Sequence, residues 1–154
     1  MTTSETVPHT RAACRAERHA RDQHLITADE ASLVDLEMLL ATLPLCATGR
    51  VFIEVPDASW ASGIAAPPRM VVTWLDRSSR TGAPGTGRGC RRGEAVSRAA
   101  NAWASEMLCG GDDPTRVHLL GGFLGTAEIL DHLTDDLGID RSAVDLPAWF
   151  PATA

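Results

Sequence analysis

The sequence predicts a three-layer α/β/α fold around a parallel sheet of about five strands. Short apolar runs alternate along the chain with segments whose apolar residues recur at helical spacing, and 154 residues suffice for one such domain but not for two. This alternation favours right-handed crossovers between parallel strands, in a Rossmann-like arrangement. Ligands of such sheets bind beyond the carboxyl ends of the strands, so we expect a binding site there.

The first half of the chain contains one predicted helix and three predicted strands. Thr27, followed three residues later by Glu30, has the pattern of a capping box, which predicts a helix start directly after the first strand. Pro44 is expected to close that helix. Its apolar stripe consists of Leu33, Leu36, Leu40 and Leu43. The strands are apolar runs with high β-propensity at residues 24–26, 51–55 and 70–75.

The second half begins with a loop over residues 76–93, whose five glycines and five arginines are typical of a mobile surface segment. A helix, a strand at residues 117–120 and a second helix follow. Gly138 is expected to end that helix in the left-handed conformation, before a last strand at residues 144–146. The second helix is expected to bury Phe123, Ala127, Leu130 and Leu133.

Composition narrows the classes of function. All 14 basic residues are arginine, so lysine chemistry is excluded, and the net charge of −6 argues against nucleic-acid binding. No window is apolar enough to span a membrane, and the first residues lack a secretory core, so we expect a cytoplasmic protein. The four cysteines lack metal-site spacing, and we expect free thiols and no metal. Residues 1–23 are expected to form a tail and a short basic helix, and residues 24–154 the α/β domain.

Polar and glycine residues follow several predicted strands. Gly121 and Gly122 let the backbone approach a ligand and present N–H groups to an anion, although a tight turn also requires small residues. Two arginines with a serine, Arg77, Ser78 and Arg80, suit a phosphate monoester, and a solvated loop is the alternative. The residues alone leave both alternatives open.

Several segments resemble one family. Residues 24–31, HLITADEA, resemble the opening of the carboxyl-terminal domain of siderophore-interacting proteins. The strand VFIEVPDA at residues 51–58, VTWL at 72–75 and LGIDRSAVD at 137–145 are similar to further segments of that family, in the same order. The resemblance runs from about residue 24 to residue 150 and leaves the loop at 76–93 uncovered.

The resemblance implies a domain like the nicotinamide-binding domain of ferredoxin reductases, in flavoproteins that pass a hydride from NAD(P)H to FAD and reduce ferric siderophores. It implies that this chain binds NADPH or NADH and that FAD is not bound by this chain alone, because no flavin-binding barrel precedes residue 24. The implied partners are a small-molecule ligand and either a flavoprotein or a second copy of the chain, with neither nucleic acid nor membrane.

The resemblance also assigns roles to residues. With NADPH as the cofactor, the cluster of Arg77, Ser78 and Arg80, which the resemblance does not cover, is expected to hold a phosphate, such as the 2′-phosphate. The remaining cofactor-binding candidates are Thr27, Asp29 and Glu30 at the first strand end, Gly121 and Gly122 beneath the nicotinamide, and Trp149 stacked near the nicotinamide or flavin. Catalytic residues are not assigned.

Two departures keep other functions open. Gly122 stands where the family has a glutamate, and no cation follows Trp149, where the family has a basic tail. An NAD(P)H-binding redox module is the first hypothesis. A non-redox protein that binds a siderophore or metabolite is the second, and a repurposed biosynthetic enzyme that uses the cleft at the strand ends is the third.

Overall fold

The computed structural model describes residues 10–15, 22–109 and 113–151. Five parallel strands form one sheet in the order β3-β2-β1-β4-β5, which confirms the predicted fold class. The strands are β1 (Gln23–Asp29), β2 (Thr48–Val55), β3 (Arg69–Asp76), β4 (Arg116–Leu119) and β5 (Val144–Asp145). The helices are α1 (Arg11–Arg15), α2 (Leu33–Thr42), α3 (Glu94–Met107) and α4 (Phe123–Asp131), which a π-helical turn at His132–Asp136 extends. The predicted basic helix therefore lies partly outside the described residues.

Two apolar clusters occupy the two faces of the sheet and define the three layers. On one face, Ile26 and Ile53 pack with Leu36 and Leu40 of α2, so the predicted leucine stripe of that helix is confirmed. The other face of the sheet packs against α3 and α4 through residues that include Leu25, Leu119, Val96, Ala100 and Ile129. Residues 56–68 join β2 to β3 with only a 3₁₀ turn at Ala58–Trp60.

The predicted capping box at Thr27 is wrong. Thr27 lies inside β1, is buried, and pairs with Phe52 and Leu119 on the two neighbouring strands, so pairing on both sides extends the strand through this position. Ser32 precedes α2 instead, and its hydroxyl accepts a hydrogen bond from the Asp29 N–H at 2.9 Å. The helix therefore begins several residues after the strand.

The predicted burial of Phe123 is also wrong, whereas Leu130 and Leu133 are buried as expected. Phe123 is the first residue of α4 and its side chain is 52% exposed. The amino ends of α3 and α4 meet through Gly93 and Gly125, and a Cβ atom at Gly93 would lie 2.7 Å from the Gly125 nitrogen. Phe123 lies in the turn just before this contact, where about half of its side chain remains in solvent.

A buried histidine pair lies toward the amino ends of the strands. His24 of β1 is only 2% exposed, and its Nδ1 lies 3.3 Å from Nε2 of His118 on β4. The Nδ1 atom of His118 contacts the Asp145 carboxylate of β5 at 2.8 Å. Burial lowers the pKa of His24 to about 4; the charges of His118 and Arg116 also lower it, and Asp22 partly opposes them. His24 is therefore neutral at pH 7.

Candidate functional site

Two clefts lie at the carboxyl ends of the strands, where the strand order reverses between β1 and β4. The first, which we call the helix cleft, has a volume of about 210 Å³ and lies at the amino ends of α3 and α4, lined by residues that include Gly93, Val96, Phe123, Leu124 and Gly125. The second, the tryptophan cleft, has a volume of about 440 Å³, and the residues found only in its lining include Ser32, Asp35, Leu120, Pro147 and Trp149.

Asp29, Arg92 and Gly122 line both clefts, and we call these three residues the ridge. Oδ2 of Asp29 accepts hydrogen bonds from Nη2 of Arg92 and from the Gly122 N–H, both at 2.9 Å. The other oxygen accepts from the Ala31 N–H at 3.0 Å. Asp29 therefore holds the end of β1, the loop before α3 and the turn before α4 together.

A buried ion-pair network lies beneath the ridge and consists of Glu54, Arg77 and Glu30. The Glu54 side chain is fully buried at the amino end of α3, where it accepts hydrogen bonds from the Gly93 N–H at 2.7 Å and the Val96 N–H at 2.9 Å. Nη1 of Arg77 donates to the same carboxylate at 2.9 Å. Glu54 thus satisfies two N–H groups that the first turn of a helix leaves without partners.

Arg77 is a structural cation in this geometry. Its two terminal nitrogens donate to both oxygens of Glu30, at 2.8 and 3.1 Å, and its side chain is 14% exposed. Burial opposes the ionisation of Glu30, but the hydrogen bonds and charge of Arg77, with Arg92 nearby, outweigh burial and lower the pKa of Glu30. The hydrogen bond to Glu30, followed by that to Glu54, raises the pKa of Arg77.

Arg92 has a different environment. Its side chain is 53% exposed, it pairs with Asp29, and its Nε atom lies 3.7 Å from a Glu30 oxygen. The guanidinium therefore keeps donors free to face a ligand in either cleft.

Aromatic side chains surround the outer edge of the site. Trp149 is 55% exposed, and Phe150 stacks on Phe123 with 5.4 Å between ring centroids. The guanidinium of Arg141 lies 5.9 Å from the Phe150 ring. The segment after β5 is thereby held against the start of α4.

The residues predicted from sequence are only partly brought together. Asp29, Gly121, Gly122 and Trp149 all line the tryptophan cleft. Thr27 is buried in β1 and its carbonyl accepts the Leu120 N–H at 2.9 Å.

The phosphate candidates lie apart from both clefts. Arg77 is taken up by Glu30 and Glu54. The Ser78 hydroxyl donates to Asp76 at 2.6 Å, and the Arg80 side chain is exposed outside the two linings.

Glu54 and Arg92 were not among the residues predicted to bind a cofactor. An acid inside the apolar run at residues 51–55 was a usable signal for Glu54, because a buried carboxylate requires partners. Arg92 had no comparable signal, since it is one of five arginines in a glycine-rich loop. Within the described ranges, no group of three or more metal-ligating side chains converges, and no helix is long and apolar enough to cross a membrane.

Comparison with known proteins identifies the family. The family model described as Siderophore-interacting protein matches residues 21–149. The chain belongs to the siderophore-interacting protein family. Uncharacterized proteins from Mycobacterium bovis and Mycobacterium tuberculosis are similar to it, with 38% identity over 61 residues, which cover 40% of this chain and 22% of theirs.

Solved structures of siderophore proteins share this fold. The siderophore-interacting protein SipS from Aeromonas hydrophila aligns with a TM-score of 0.59 and 15% identity over 82% of this chain and 50% of its own. A siderophore utilization protein from T. fusca aligns with a TM-score of 0.58 and 24% identity, over 88% of this chain and 48% of its own. The Siderophore Interacting Protein from Acinetobacter baumannii aligns with a TM-score of 0.57 and 13% identity, over 90% of this chain and 50% of its own. The described fold thus spans about half the length of these relatives.

Proposed function

We propose that this chain is a nicotinamide-binding redox module related to ferric-siderophore reductases. It takes NADPH or NADH in the helix cleft and works with a flavin held by another domain or protein. The position of the clefts, at the point where the strand order reverses, is the observation that carries the proposal, because open α/β sheets bind their ligands there. Family membership supports the reaction class.

The lining of the helix cleft suits a dinucleotide. Phe123 and Leu124 present exposed apolar side chains at its rim, where a nicotinamide ring can pack. The amino end of α4 lies at the same place, and its backbone N–H groups favour a pyrophosphate. A Cβ atom at Gly122 would lie 3.2 Å from Asp29 Oδ2, so glycine at this position leaves room for the Asp29 carboxylate. Bound reduced nicotinamide supplies a hydride, and the residues of the chain bind and orient the ring.

The arginines near the site have different roles, in ligand binding or in stabilising the fold. Arg92, half-exposed on the ridge, donates to the pyrophosphate, whereas Arg77 keeps the site folded through Glu30 and Glu54. Arg80 and Ser78, which lie outside the cleft, bind the 2′-phosphate that distinguishes NADPH from NADH.

Calorimetric titration with NADPH and NADH tests this function. We expect binding of at least one dinucleotide, and Arg92→Ala should weaken it about tenfold through the loss of a charge-assisted hydrogen bond. Arg88→Ala is the matched control, because Arg88 is exposed in the same loop and lines neither cleft. Combined Ser78→Ala and Arg80→Ala should weaken NADPH but not NADH. The absence of binding at millimolar concentrations of both dinucleotides would rule the function out.

One observation favours a second candidate, a non-redox protein that binds a siderophore or metabolite. The Gly122 N–H, which an anionic ligand would use, is already bonded to Asp29. If neither dinucleotide binds but an iron chelate does, this second function replaces the first.

A further inference from the structure

The tryptophan cleft lies in an acidic part of the molecule. Its lining contains two carboxylates, Asp29 and Asp35, and one cation, Arg92. The lining of this cleft therefore carries a net charge of −1. This excess of negative charge favours a cationic group in the tryptophan cleft.

The uncompensated charge at the cleft belongs to Asp35. Arg92 is already paired with Asp29, whereas no side chain among the described residues forms an ion pair or hydrogen bond with Asp35. Asp35 lies in the first turn of α2 and is exposed to solvent. Its carboxylate is therefore available as a partner for a cation.

Trp149 supplies a second, independent preference for a cation. It lines the same cleft, and its indole is 55% exposed. An indole face attracts ammonium groups through its quadrupole, and a carboxylate in the same cleft strengthens the preference. An apolar ligand would use Trp149 alone, and an anion would use neither residue.

We propose that the tryptophan cleft binds a protonated amine, with Asp35 as its counter-charge and Trp149 as its aromatic wall. Resting on the proposed function, this inference specifies the substrate class: a ferric chelate that carries a pendant ammonium arm. The arm enters the cleft and the iron-binding part stays outside.

Two matched chelates test this proposal by calorimetry: the ferric complex of a linear trihydroxamate that ends in a primary amine, and the same complex with that amine acetylated. We expect the amine form to bind about tenfold more tightly, from one ion pair and one cation–π contact. Asp35→Asn should reduce the difference to about threefold by weakening only the amine form, because the cation–π contact with Trp149 remains. Glu37→Gln is the matched control, because Glu37 is exposed on the same helix and lines neither cleft.

The outcomes separate this inference from the proposed function. Equal affinity for the two chelates, tighter binding of the acetylated form, or no binding of either would overturn the amine site. A parallel titration with NADPH and NADH tests the redox module by itself. Suppose that neither dinucleotide binds, but the two chelates still differ in affinity and the difference depends on Asp35. The redox function is then ruled out, and the amine site is supported.

Discussion

The buried ion-pair network and the ridge lie side by side, and both join arginine to carboxylates. In the network, Arg77 is 14% exposed and its guanidinium contacts both Glu30 and Glu54. On the ridge, Arg92 is 53% exposed and has one close partner, Asp29. The contrast teaches that an arginine near a cleft indicates a ligand site only when its donors remain accessible, whereas a fully engaged arginine indicates a folding contact.

Removal of Glu54 should give the largest effect. Glu54→Ala leaves Arg77 without one buried partner and the Gly93 and Val96 N–H groups unsatisfied, so we expect the free energy of unfolding to fall by about 3–5 kcal/mol. Urea denaturation measures this loss. Glu37→Ala, at an exposed position on α2, is the control. A loss as small as that of the control would mean that the network contributes no more than a surface charge.

Gly93→Ala should give the second largest effect, because it alters the contact between helices to which Glu54 is bonded. Gly93 has φ +94°, and a Cβ atom there would lie 2.7 Å from the Gly125 nitrogen. We expect a loss of about 2 kcal/mol in urea denaturation from backbone strain and steric conflict. Gly63→Ala is the control, since nothing lies within 4 Å of the corresponding Cβ position. Equal losses would show that the two helix ends can separate without cost.

Mild acid should distinguish the strand-end site from the histidine pair. Burial lowers the pKa of His24 from 6.5 to about 4. Between these two pH values His24 is protonated in the unfolded chain but neutral in the folded protein. Stability should therefore be full above pH 6.5 and should fall, by on the order of 2 kcal/mol, as the pH drops from 6.5 to 4. The pKa of Glu30 is lowered from 4.5, so the stabilisation by the Glu30–Arg77 ion pair is lost only at the acid end of this range and below it. Denaturation of His24→Gln across the same range should show a shallower slope, and an unchanged slope would assign the effect to other groups.

Removal of Arg92 should cost the least stability. Because half of its side chain is in solvent, we expect Arg92→Ala to lower the free energy of unfolding by less than about 1 kcal/mol. Urea denaturation with Arg91→Ala as the control, a still more exposed arginine beside it, measures the difference. A loss comparable to that of Glu54→Ala would erase the distinction between network and ridge.

The sequence was sufficient to predict the fold but not to predict the contacts between side chains in the site. Alternating apolar runs predicted all five strands, because burial on both faces of a parallel sheet leaves a strong local pattern. The pattern misplaced the start of α2, since Thr27 is kept in β1 by pairing with strands distant in sequence. Local capping preferences are worth less than such pairing.

The same limit explains the phosphate candidates. Arg77, Ser78 and Arg80 look equivalent in sequence, but only Arg77 lies where Glu30 and Glu54 converge, and those carboxylates come from two other strand ends. Gly121, Gly122 and Trp149 were placed at a cleft lining because strand ends of a parallel sheet share one edge. Pairing between side chains far apart in sequence has no local signature, so Arg92 could not be distinguished from its neighbours.

The hydrogen bonds of Glu54 also indicate when the clefts form during folding. Its partners lie 23, 39 and 42 residues further along the chain, at Arg77, Gly93 and Val96. Contacts of that separation close long loops and form together with the global topology. The clefts therefore exist only in the completed fold, and a partly folded chain cannot recognise the ligand. By mass action, any ligand that binds there stabilises the native state against unfolding. It thereby protects the chain from proteases that cut unfolded segments.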